Sequence, residues 1–386
     1  MMNMNKWTMA LAAAGVVSLS SVAQAQEAAA GADALAASTT LTGYVSSSYT
    51  MDGTTNDGTA GSTDPRGYWR SGSNISQFTL DVVSLTLASA QGAGEYATGY
   101  TVQLWAGSAA GNINTQDDSA AADASTVELM QANIDLRLPV GNGLDLKVGQ
   151  MGTVVGAESY DYNANAFFTR SFAFDVEPTH HTGILASYQV SDDLSVSLGV
   201  ANNKTTGLGN GINDRDGSNV LLTSVSYTTP DSLGVLAGTE LYYGGVWGSS
   251  LNAVDNETDT HFFSATVPVP VEGLSYTAAV TVVDNGDLAM SQSLNRGDSN
   301  ITSHYLSYAL NDKATLNVRY EHGNLNSGAA PGTASWTDNI DGLESISVGV
   351  DYALWENTTS RIEWREDSGD GLNDQEVIAL NIVYNF

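Results

Sequence analysis

The chain has 386 residues, with 43 acidic against 13 basic side chains and a formal net charge of −30. Such acidity argues against nucleic acid as a partner, because phosphates would be repelled. The absence of cysteine excludes a disulfide framework and a thiolate metal site.

The first expected element is an export signal. Lys6 gives a short positive region, residues 7–17 are mostly apolar, and Ala23-Gln24-Ala25 has the small-residue pattern of a cleavage site. The apolar stretch is too short to span a bilayer, so residues 1–25 are expected to be a signal peptide and the mature chain to begin at Gln26. Residues 26–40 are rich in Ala, Gly and Ser without a period, and read as a flexible lead-in. No later segment holds about 18 uncharged apolar residues in a row, which excludes spanning by helices. Abundant glycine (39) and tyrosine (17) with scarce proline (7) favour an all-β chain.

From Leu41 the sequence repeats strand, long segment, strand, tight turn. Strands are expected near 41–50, 78–88, 96–106, 127–140, 144–152, 179–190, 194–202 and 218–229. They continue near 233–246, 258–270, 274–284, 299–310, 313–323, 343–354, 358–366 and 374–386. The clearest turn is Val140-Gly141-Asn142-Gly143, an Asn-Gly pair between alternating apolar runs. Gly92–Gly94, Ser191-Asp192-Asp193, Pro230-Asp231-Ser232, Glu272-Gly273, Asn311-Asp312 and Glu356-Asn357 mark the others. Between these hairpins lie long acidic segments at 51–77, 107–126, 153–178, 203–217, 247–257, 285–298, 325–342 and 367–373. Short turns alternating with long loops is the layout of an outer-membrane barrel, here a transmembrane antiparallel β-barrel of about sixteen strands over 41–386. A soluble sandwich or β-helix would also use short strands, but it explains neither terminus.

Within strands the two faces differ. Ile134, Leu136 and Leu138 oppose Asp135 and Arg137, and Leu144, Leu146 and Val148 oppose Asp145 and Lys147. Leu316, Val318 and Tyr320 oppose Arg319 and Glu321, and Ile362 and Trp364 oppose Arg361, Glu363 and Arg365. An Arg or Lys on the lipid face at mid-bilayer costs about 2–4 kcal/mol, so the charged faces are assigned to the lumen. Neighbouring opposite charges there also read as cross-strand pairs. Tyr44, Tyr100, Trp105, Tyr188, Tyr227, Tyr276, Tyr308, Tyr352, Trp355 and Tyr384 lie near strand ends and are expected in interfacial girdles. The chain closes on a period-2 strand with Ile378, Leu380, Ile382, Tyr384 and Phe386 on one face, read as an assembly signal carried by Tyr384 and Phe386. A barrel can end this way because the last strand pairs with the first and leaves no edge.

The third long loop, 153–178, contains Glu158, Asp161, Arg170, Asp175, Glu177 and the run Phe-Phe-Thr-Arg-Ser-Phe-Ala-Phe. So aromatic a segment is expected to fold into the barrel and form its constriction. His180 and His181 follow, but adjacent strand residues point to opposite faces, which argues against one shared metal ion.

The run Leu129–Gly152, the segments Thr169-Arg170-Ser171-Phe172 and Pro178–Ala186, and the opening strand Leu41-Thr42-Gly43-Tyr44-Val45 resemble the putative β-barrel porin-2 family, most sharply over 41–205. The resemblance implies an outer-membrane porin; the acidic Asp175-Val176-Glu177 departs from the family pattern. No Gly-x-Ser-x-Gly or His-Glu-x-x-His occurs, so no enzyme and no cofactor are expected. The expected function is passive diffusion of small hydrophilic solutes and ions with cation preference. It would run through a lumen whose acidic loop faces a basic wall of Arg137, Lys147, Arg319, Arg361 and Arg365. The alternative is a non-conducting barrel with a structural or surface-interaction role. Expected partners are outer-membrane lipid and lipopolysaccharide, the barrel assembly machinery, the solutes, and two further copies in a homotrimer.

Overall fold

The computed structural model describes residues 38–52, 77–113, 127–202, 219–250, 257–284, 298–325, 340–370 and 372–386. The expected signal peptide, most of the expected lead-in and the larger part of several expected long loops lie outside these residues.

Sixteen strands form one sheet: β1 Thr39–Asp52, β2 Gln77–Ser89, β3 Thr98–Ala106, β4 Val127–Leu138, β5 Leu144–Gly152, β6 His180–Ser191, β7 Leu194–Asn202, β8 Asn219–Thr228, β9 Glu240–Ser250, β10 Glu257–Pro268, β11 Leu274–Asp284, β12 Ser299–Ala309, β13 Ala314–Leu325, β14 Ile340–Trp355, β15 Thr358–Asp370 and β16 Leu372–Asn385. Each pairs with its sequence neighbours, and β1 pairs antiparallel with β16, so the sheet closes. Closure satisfies the backbone without an edge, as a strand-built membrane span requires. No helix among the described residues is long and apolar enough to cross a membrane.

The count of sixteen and the alternation of tight turns with long connections stand as expected. In the β4–β5 turn, Gly141 and Gly143 hold positive φ of 57° and 102°, conformations that side chains resist. The connection expected at 367–373 is instead tight: β15 runs to Asp370, β16 starts at Leu372, and Glu366 pairs with Glu376. The strands there continue without apolar alternation, so the period-2 signal that marks strands elsewhere was missing.

The outer face carries Phe263, Leu306, Ile362, Leu380, Ile382 and Phe386, all exposed. Exposed Tyr227, Tyr308, Tyr352, Trp355 and Tyr384 share that surface. Tyr44 and Trp105 do not: both are buried inside the barrel, which corrects their assignment to the girdle. An amphipathic ring reads the same in sequence whether it meets a headgroup or an internal carboxylate.

The inner face has two zones. Toward the short turns it is polar, with Ser187 bonded to Ser197 at 2.9 Å, Thr266 to Thr277 at 2.9 Å and Ser307 to Asn317 at 2.7 Å. Toward the long loops it is buried, and apolar Val82, Met130, Leu222, Phe262, Ile301 and Leu343 stand there among polar Asp81, Glu128, Thr260 and Asp367. The apolar side chains pack in three clusters, and each cluster includes residues of the third long loop. Ala109, Ala110 and Ile113 of a short helix, α1 (Ser108–Ile113), join the first.

Candidate functional site

The third loop crosses the lumen. Its neck is closed by the Thr153 amide donating to the Thr179 carbonyl at 3.0 Å. On one side, the Tyr242 hydroxyl of β9 donates to the Val154 carbonyl at 2.6 Å. That approach depends on Gly244, where a Cβ would lie 1.9 Å from the Val154 oxygen. On the other side, the Tyr44 hydroxyl of β1 donates to Asp161 at 2.9 Å. In a closed sheet of sixteen strands, β1 and β9 are diametrically opposed, so the loop spans the barrel.

Between these anchors the loop lies on β13 and β15. The Glu363 carboxylate accepts the amides of Phe168 (2.9 Å) and Thr169 (3.0 Å) and the Thr169 hydroxyl. Glu321 accepts the amides of Phe172 (3.0 Å) and Ala173 (3.2 Å), the first turn of the short helix α2 (Phe172–Val176). Ser171 caps this helix by accepting from Phe174 at 3.1 Å. Carboxylates thus meet loop amides, and guanidinium groups meet loop carbonyls. Arg319 donates to the Thr169 carbonyl at 3.0 Å, Arg361 to the Tyr162 carbonyl at 2.6 Å, and Arg365 to the Arg170 carbonyl. Charge-assisted bonds of this kind are about twice as strong as neutral ones.

The phenylalanines explain themselves here. Phe167 lies under the Arg319 guanidinium at 4.8 Å, Phe172 under Arg365 at 4.8 Å, and Phe174 near Arg170 at 5.5 Å. Desolvated cation–π contacts contribute up to about 2 kcal/mol each. The aromatic run is the counter-surface of an arginine wall.

This geometry corrects the expected basic wall facing an acidic loop. Arg319, Arg361 and Arg365 do not face acidic groups across water. Arg319 touches Glu158 directly at 2.7 Å, with Glu321 at 3.8 Å and Glu363 at 3.7 Å. Arg361 meets Asp351 at 3.1 Å and Arg365 meets Asp367 at 2.7 Å. Arg319, Glu321, Glu363, Arg365 and the loop's Arg170 and Glu177 are all buried. Sequence alternation cannot tell a wetted wall from a wall under a docked loop. The partly exposed charges are Arg137, Asp145, Lys147 and Asp135, which pair across strands: Arg137–Asp145 at 3.6 Å and Lys147–Asp135 at 2.7 Å. Asp161 and Asp175 of the loop also keep some exposure. Glu177 accepts from Thr281 of β11.

Asp161 is the titratable tip. Loss of solvent pushes its carboxyl up to about 6, against hydrogen bonds from Tyr44 and Gln103 and the charge of Arg170, which act to lower it. Sequence reading missed the residues that receive it, Tyr44 and Gln103, because neither carries a charge signal. His180 and His181 take separate partners: His180 lies tilted against the Tyr160 ring at 4.4 Å and bonds Thr179 at 2.9 Å, and His181 bonds Thr153 at 2.9 Å.

At the seam, Phe386 exchanges two 2.9 Å backbone bonds with Gly43, and its ring stacks near Tyr384 at 6.5 Å. A Cβ at position 43 would lie 2.8 Å from the Phe386 ring.

A closed sixteen-strand sheet with an apolar exterior and an inwardly docked third loop defines a transmembrane β-barrel of the porin type. The chain belongs to the putative beta-barrel porin-2, OmpL-like family, whose model matches residues 38–386. Solved structures agree on the fold. The outer membrane channel DcaP of Acinetobacter baumannii aligns at a TM-score of 0.61 and 10% identity, covering 90% of this chain and 97% of that one. The anion-selective porin from Comamonas acidovorans gives 0.56 and 13%, covering 90% and 99%. The trimer form of OmpT of Vibrio cholerae gives 0.54 and 10%, covering 90% and 99%. No curated protein matches the sequence.

Proposed function

We propose that the protein is an outer-membrane porin that passes small hydrophilic solutes and ions by passive diffusion, with a modest preference for cations, and that it transports rather than catalyses. The polar zone of the inner face, inside a porin-family barrel, carries this reading. Ser187, Ser197 and Thr266 are partly exposed and offer a hydrated wall, with the Lys147–Asp135 and Arg137–Asp145 pairs set into it. Cation preference is supported by the chain's formal net charge of −30. The trimer form of the Vibrio relative supports a homotrimer among outer-membrane lipid and lipopolysaccharide. Tyr384 and Phe386 at the seam suit recognition by the barrel assembly machinery. A second reading, a non-conducting barrel, is favoured by the apolar collar packed around the third loop.

Recording of purified, detergent-folded protein in a planar bilayer under a salt gradient separates them. Conductance steps with a reversal potential of cationic sign are expected. A silent bilayer from protein that keeps its heat-modifiable gel mobility favours the second reading.

A further inference from the structure

Most of the barrel's tight turns carry charge, as Ser191-Asp192-Asp193, Asn311-Asp312-Lys313 and Glu356-Asn357 do. The connection from β8 to β9 is different. It is the longest of the turns, and from Pro230 to Gly238 its only charged residue is Asp231. Val235 there is 91% exposed, with Leu233 and Leu236 half-exposed beside it.

This exposure is held in place by the backbone. Residues Asp231–Leu236 form a tight helical turn broken at Gly234, whose φ of 60° favours glycine. The Leu233 amide donates to the Pro230 carbonyl and the Ala237 amide to the Gly234 carbonyl, both at 3.0 Å. The Thr239 amide is shared between the Leu236 carbonyl at 3.1 Å and the Thr229 hydroxyl at 2.8 Å.

The side of the wall on which the turn lies follows from strand alternation. Tyr227 and Leu241 are register partners on the outer face, and both are exposed. The next pair, Thr228 and Glu240, points inward, so Thr229 and Thr239 point outward again. Yet Thr229 and Thr239 are only 8% and 5% exposed. The Thr229 hydroxyl donates to the Leu236 carbonyl, so what covers them is the turn itself. Residues 230–238 therefore fold against the outside of the barrel. Their aliphatic side chains extend the lipid face past Tyr227 and Leu241, and a rigid apolar patch of this kind marks a contact surface.

We infer that residues 230–238 are a foot inserted among the acyl chains of the periplasmic leaflet, with phospholipid as its partner. The inference rests on the porin reading, which sets the short turns on the periplasmic side. The foot resists movement of the barrel along the membrane normal, because lifting it would return Leu233, Val235 and Leu236 to water.

The chain has no cysteine, so single-cysteine variants take a label at one place. Full-length Val235→Cys, Leu233→Cys, Asp312→Cys and Ile362→Cys would each carry a polarity-sensitive fluorophore. They would be placed in nanodiscs of phosphatidylethanolamine and phosphatidylglycerol, where both membrane faces meet water. Folded gel mobility would be checked for each. Asp312, in the β12–β13 turn, and Ile362, on the lipid face, are exposed reference positions. Labels at 233 and 235 should emit blue-shifted from the label at 312, and brominated acyl chains should quench them while iodide does not. Emission at 233 and 235 that matches 312 and is quenched by iodide would overturn the foot. It would leave that surface to water or a periplasmic protein, with the porin reading intact. A label at 362 that brominated lipid fails to quench would overturn both.

Discussion

Arg319 of the barrel wall and Glu158 of the third loop meet at 2.7 Å with neither side chain open to solvent. The pair joins residues far apart in the chain and fastens a loop to a strand on another part of the wall. Arg319→Ala would take from Glu158, Glu321 and Glu363 the cation that all three share. Removing one member of a buried pair typically costs about 3–5 kcal/mol. The temperature at which heat-modifiable mobility is lost should fall clearly in Arg319→Ala and less in Glu158→Gln. Equal midpoints in all three proteins would count against the contact.

Gly244 admits the Val154 carbonyl where a side chain would stand 1.9 Å away. Gly244→Ala is expected to displace the loop root and break the Tyr242–Val154 bond, costing about 1–3 kcal/mol. Gly94, with open space around its Cβ position, serves as the control, and Gly94→Ala should leave the melting temperature unchanged.

Asp161 sets the pH response of the loop tip. Its carboxyl titrates near 6 in the folded protein against 3.8 for the free side chain. The raised value means the folded state binds the proton more tightly. Loop docking is therefore fully supported below about pH 4 and loses support as pH rises through about 6. The melting temperature of wild type relative to Asp161→Asn should fall between pH 4 and 7, and a flat difference would contradict the placement of Asp161 against Tyr44.

The seam depends on Gly43. Gly43→Val would drive a side chain into the Phe386 ring and across the β1–β2 pairing. Strand closure should suffer, seen as a smaller fraction of folded band after refolding. Phe386→Ala keeps the two backbone bonds to Gly43 and loses only the ring, so the defect should be milder in vitro than that of Gly43→Val.

Much of the barrel was legible because period-2 alternation against lipid is a strong constraint. Lys147 opposite Asp135 and Arg137 opposite Asp145 could be read from the hairpin Asn142-Gly143 alone. The aromatic run at Phe167–Phe174 likewise announced that the loop folds inward. What it folds against was hidden. Phe262 and Leu222 face inward, yet an apolar residue packed on a plug and one bathed in lipid leave the same mark in sequence. Arg319 and Arg365 were placed inside, but their burial depends on partners about 150–200 residues away in the chain. Local pattern carries no information about such pairings.

The apolar inner collar has a consequence for anyone wishing to widen this pore. Excising residues 153–178 would not leave a uniformly wetted tube. It would leave Val82, Met130, Leu222, Phe262, Ile301 and Leu343 facing empty space beside the charged strip of Arg319, Glu321, Glu363 and Arg365. Apolar patches of that kind shed water, so ions would be confined to the charged strip by dewetting of the rest. A useful nanopore from this scaffold would therefore need its collar repainted with serine and threonine before its loop was shortened.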